Sequence, residues 1–89
     1  MRHPAQIERY AEYLKSGMRL RIPHDGGRPA IVEGVPGMAR PGIAVTTEDA
    51  QYLLALGRMR KLPMESEPGA IGWAQAGYDG DQADWFIFT

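Results

Sequence analysis

The chain has 89 residues, with ten Lys and Arg, eleven Asp and Glu, two His and no Cys, for a formal charge of −1. That length suits one domain spanning 1–89, and the 44% hydrophobic content suits a folded one. The lack of Cys excludes a disulfide scaffold, a thiol nucleophile and any thiolate-ligated metal or iron–sulfur site.

The first predicted element is a helix over Pro4–Ser16. Ile7, Tyr10, Ala11 and Leu14 fall at i, i+3, i+4 and i+7, one apolar stripe, and Glu8, Arg9, Glu12 and Lys15 cover the other side. Pro4 suits the first turn, and Gly17 suits the left-handed residue that closes a helix. From Met18 to Pro23 the period changes to two. Met18, Leu20 and Ile22 alternate with Arg19 and Arg21, which predicts a half-buried strand with its arginines facing out. Asp25-Gly26-Gly27 signals a turn, and Ala30–Val35 reads as the returning strand.

Residues 34–42 hold three Gly and two Pro, a loop composition. Ile43-Ala44-Val45 is a short strand or extended lead-in. A second helix starts near Thr46 or Thr47. Thr46 stands three residues before Asp49 in a capping arrangement, and Glu48 and Asp49 complement the helix dipole. The same reading runs this helix through Gly57 to Arg58, Arg60 and Lys61, placing those cations in its last turn, with Leu62-Pro63 as the stop. Gly57 is then an interior glycine that allows close packing.

Residues 64–69 read as an acidic connection. A second hairpin follows, with Ala70, Gly72, Ala74 and Ala76 on one face, Ile71, Trp73 and Gln75 on the other, and a turn at Tyr78-Asp79-Gly80-Asp81. The last strand, Asp84–Thr89, contains Trp85-Phe86-Ile87-Phe88, a continuous apolar run that implies burial on both faces. The order is α-β-β-(β)-α-β-β. It predicts an α+β fold, a small antiparallel β-sheet of about four to five strands with both helices on one face.

Charge is unevenly spread. Residues 1–61 carry all ten cations and six acids, a balance of +4, whereas residues 62–89 carry five acids and no cation, a balance of −5. Such polarity steers association with charged partners or complements itself within the fold.

The sequence supports no catalytic constellation. His24-Asp25-Gly26-Gly27 places a histidine beside a carboxylate on a turn, but neighbours on a hairpin tip do not form a triad. His3 and His24 are too far apart in sequence for a ligand pair. Asp79, Asp81 and Asp84 resemble the start of a calcium loop, yet Ala83 and Asp84 stand where the fifth ligand and the glycine are needed. The 34–42 loop lacks both phosphate-cradling glycine patterns. The sequence therefore points to no catalytic, cofactor-binding or metal-ligating residues. An enzyme is the least supported class, since a domain this small has little room for a pocket of about 300–1,000 Å³.

What remains is binding. Arg19, Arg21, Arg28, Arg40, Arg58, Arg60 and Lys61 could share a surface, and the Gly/Pro-rich loop presents Met38 and Arg40. The binding residues expected from sequence are Arg19, Arg21, Met38, Arg40, Arg58 and Arg60. The expected function is a small cytoplasmic, non-enzymatic protein-binding domain, of regulatory, inhibitory or mobile-element accessory type. Its partner is another protein, or a second copy of this chain joined by sheet edges or helix faces. The alternative is a nucleic-acid-binding module using the basic segment 19–61. No apolar run approaches the length of a membrane span, and no secretory signal is visible.

Overall fold

The computed structural model describes residues 4–33, 42–65, 77–78 and 82–89. The elements are α1 (Pro4–Lys15), β1 (Arg19–Pro23), β2 (Ala30–Val32), β3 (Ile43–Ala44), α2 (Thr47–Ala55), β4 (Met59–Lys61), β5 (Met64–Glu65), β6 (Gly77–Tyr78) and β7 (Ala83–Phe88). Five strands form one sheet in the order β3-β2-β1-β7-β4, and every neighbouring pair in it is antiparallel. The α+β architecture expected from the sequence is present.

Helix α1 buries the stripe its spacing predicts, Ile7, Tyr10 and Leu14, while Glu8, Arg9 and Glu12 stay exposed. Gly17 adopts φ 109° and ends it. There Gly17 N–H donates to Leu14 O and Met18 N–H to Tyr13 O, the paired bonds of a Schellman cap. Helix α2 starts as expected, with the Thr46 hydroxyl accepting from Asp49 N–H at 3.1 Å. The two helices share one core with the sheet: Ile7, Tyr10 and Leu14, Leu20 and Ile31, and Val45, Ala50 and Leu53. Each large apolar side chain sealed there contributes about 1.5–3 kcal/mol.

Cross-strand register sorts the sheet residues onto two faces. Leu20 pairs with both Ile31 and Phe86, and this row lies beneath the helices. Arg21 pairs with both Ala30 and Trp85, so that row faces the other way. The second face is not plain solvent. Val32, Leu62, Ala83 and Trp85 form a separate cluster there, with Ala30 and Ile87 against it. The outward setting predicted for Arg19 and Arg21 is corrected accordingly. Arg19 is only 6% exposed and Arg21 is half-buried, because the face they occupy carries a small core of its own. Strand β7 lies inside the sheet between β1 and β4, and its alternate residues reach both cores, as its apolar run implied.

Helix α2 is shorter than predicted. It ends at Ala55, and Gly57 takes φ 76°. A Cβ at Gly57 would meet nothing within 4 Å, so the glycine is there for its backbone conformation and not for close packing. The chain then reverses, and Met59–Lys61 pairs with the outer side of β7. Arg58, Arg60 and Lys61 therefore leave the helix, where they were expected as its last turn, and flank or form a strand. The competing pull is the ladder offered by β7, which a short helix end cannot match. Helix α2 and its flanks carry the chain from β3 at one sheet edge to β4 at the other.

The 64–69 connection also differs. Met64–Glu65 is a strand paired in parallel with Gly77–Tyr78, residues read from sequence partly as turn. Among the described residues, β7 pairs with β1 and β4. The expected strand over 70–76, the Asp79-Gly80 turn and the 34–41 part of the Gly/Pro-rich loop lie outside the described residues.

Candidate interaction surface

The edge strand β4 gathers exposed positive charge. Arg58, Arg60 and Lys61 are all exposed, and Met59 between them is half-buried, packed with Phe86 and Phe88 against the helix-side core. The backbone of Arg58 is held by the chain end. Thr89 N–H donates to Arg58 O at 2.7 Å and the Thr89 hydroxyl donates to the same oxygen at 3.1 Å. The Arg58 guanidinium lies 5.3 Å from the Phe88 ring centroid, and Lys15 Nζ of α1 lies 5.8 Å from it. One half-buried ring thus gathers cations from two elements distant in sequence. Lys15 is itself 3.7 Å from Glu12 one turn earlier.

Lys61 and Arg60 point to opposite faces. Lys61 pairs in register with Phe86 and so belongs to the helix side, where its Nζ lies 3.5 Å from Asp84 Oδ1. That same oxygen is 2.8 Å from His24 Nε2. Because a carboxylate only accepts, the imidazole donates through Nε2–H. His24 continues the β1–β7 ladder, its N–H donating to Gln82 O at 2.9 Å. The hydrogen bond from His24 holds the Asp84 carboxyl below its ordinary value; burial opposes this, and the charge of Lys61 reinforces it.

The six binding residues expected from sequence do not form one solvent-facing patch. Arg58 and Arg60 are exposed at the β4 edge, while Arg19 and Arg21 lie on the face of the second core. Burial pushes the Arg19 guanidinium below its ordinary value. Met38 and Arg40 lie outside the described residues. Sequence reasoning missed Lys15, Phe88, and the contact of Asp84 with His24. No local spacing could have revealed these, since the partners meet only through sheet register and helix packing. Asp25, the sequence neighbour of His24, is instead engaged within the turn, accepting from Gly27 N–H at 2.8 Å.

Among the described residues, no group of three or more His, Cys, Asp or Glu could hold a metal ion, and no helix is long and apolar enough to cross a membrane. An open concavity of about 500 Å³ does lie along the outer side of α1, larger than the sequence led us to expect. Its described lining includes Glu8, Arg9, Glu12 and Lys15, two acids balanced by two bases on one helix.

Comparison of the chain with protein-family models, with curated proteins and with solved structures gives no match.

Proposed function

We propose that this protein is a small cytoplasmic, non-enzymatic binding domain whose partner is another protein, engaged through the β4 end of the sheet. One observation carries the reading: the edge strand β4 and its lead-in expose three cations, Arg58 and Lys61 beside the helix-side apolar patch of Met59 and Phe88 and Arg60 on the opposite face. Arginine beside half-buried aromatic and methionine side chains is a composition favoured in protein interfaces. A regulatory or inhibitory role, or service as an accessory of a mobile element, fits a domain that works by occupying a partner. The nucleic-acid alternative would draw on the same basic segment. Burial of Arg19 supports the protein reading over it, because phosphate contacts require cations free to reach a backbone track.

A photo-crosslinking residue placed at Arg60 and, as a control, at the exposed Gln51 of α2 tests this reading in the native lysate. Position 60 should yield discrete adducts that survive nuclease and vanish with protease, and position 51 should not. Adducts at position 60 that are lost on nuclease treatment, or identical patterns at both positions, would overturn the proposal.

A further inference from the structure

The bonding pattern of β4 says how such a partner would sit. Leu62 N–H donates to Trp85 O and Thr89 N–H to Arg58 O, which marks 62/85 and 58/89 as hydrogen-bonded pairs. Pairs of that type recur every second residue along an antiparallel ladder, so Arg60 and Ile87 form the one between them. Met59 and Lys61 therefore direct their backbone N–H and C=O groups away from β7. No described strand lies beyond them.

Resting on the protein-binding reading above, we infer that β4 accepts an extended, acidic peptide segment of the partner as an added strand, its backbone on Met59 and Lys61 and its carboxylates beside Arg58, Arg60 and Lys61. Three observations select this occupant. First, the outward groups of Met59 and Lys61 are donors and acceptors in equal number. A peptide backbone matches both, whereas a phosphate backbone only accepts and would face two carbonyl oxygens. Second, a second copy of β4 paired antiparallel about its centre would set Arg60 opposite Arg60. Like charges directly opposite oppose pairing, so the edge rejects itself. Third, the exposed side chains of the strand and its lead-in are cationic at three positions, on both faces, so an incoming strand meets positive charge whichever way its side chains alternate.

The test uses the full chain and a synthetic peptide of about eight residues alternating Glu and Val, long enough for one strand. Binding is followed by titration calorimetry, and backbone amide shifts of residues 58–62 locate the site. The proposal expects saturable binding with shifts at Met59 and Lys61. It expects about a tenfold loss on Arg60→Glu, and about a tenfold or greater loss when alternate peptide nitrogens are methylated. The methylated peptide keeps the charge and leaves the protein untouched, so the result does not depend on how a variant folds. Equal binding of the methylated peptide overturns strand addition while leaving a charge-driven protein interface standing. Tighter binding of a single-stranded oligonucleotide than of the acidic peptide overturns strand addition and the protein-binding reading together. No binding of the peptide at all overturns strand addition, and the crosslinking result then stands or falls by itself.

Discussion

His24 and Asp84 are 60 residues apart in the chain and 2.8 Å apart in space, joined Nε2 to Oδ1 across the end of the sheet. The contact fastens the β1 side to β7, and Lys61 adds β4 from the other side at 3.5 Å. Three neighbouring strands thus meet on a single carboxylate oxygen at the open end of their ladders.

Stability should depend on pH through this carboxylate. The folded state holds Asp84 below its ordinary value, so its contribution is complete above the unfolded value, about 3.9, and is lost as pH falls through the folded one. Partial exposure of both partners limits the effect to about 0.5–1 kcal/mol. In urea unfolding, Asp84→Asn should be less stable than the parent by that amount at pH 6. The gap should narrow once the pH falls below the unfolded value and close when the folded carboxyl is protonated as well. A gap that persists unchanged at the lowest pH would show that the carboxylate charge is not its source.

Gly57 gives a prediction whose sign alone is informative. An interior helical glycine gains about 1 kcal/mol on replacement by Ala. A glycine at φ 76° loses about 1–2 kcal/mol, because the added Cβ disfavours the left-handed backbone even where space is free. Gly57→Ala should therefore lower the urea midpoint. A rise would mean that α2 runs on past Ala55.

The same position explains what could and could not be read from the sequence. Both helix starts, the α1 stripe, β1, the start of β2 (which ends at Val32, short of the expected Val35), β3 and the interior place of β7 follow from local periodicity and caps, and each is present. The end of α2 is not legible in the sequence because Arg58, Arg60 and Lys61 satisfy the rule for cations at a helix C-terminus as well as they suit an edge strand. The decisive term, pairing with β7, comes from residues more than twenty positions away. Arg19 and Arg21 looked solvent-facing for a similar reason. Alternation gives their face, but only tertiary packing shows that Trp85 and Leu62 occupy it. The candidate surface was half legible: Arg58 and Arg60 from their chemistry, Lys15 and Phe88 not at all.

Trp85 should dominate the stability of the second face. It is 1% exposed and packs with Val32, Leu62 and Ala83. Replacement by Ala should cost about 3–5 kcal/mol, a large part of the 5–15 kcal/mol typical of a whole domain. Leu62→Ala, within the same cluster, should cost about 2–5 kcal/mol, and the double variant should lose less than the sum, because the two share one cavity. Full additivity in chemical denaturation would show that the residues do not pack as one unit.

The charge on β4 should also guard the edge against its own kind. Arg60 sits at the centre of the strand, so antiparallel self-pairing would bring two copies of it face to face. Arg60→Val removes that repulsion and supplies a β-branched residue suited to a cross-strand pair. Self-association should strengthen by about tenfold, read as a concentration-dependent shift in sedimentation velocity. Arg60→Lys keeps the charge and should sediment like the parent. If Arg60→Val also sediments like the parent at every concentration, repulsion at residue 60 is not what keeps this edge from pairing with itself, and the case for an acidic strand over a second copy loses its electrostatic basis.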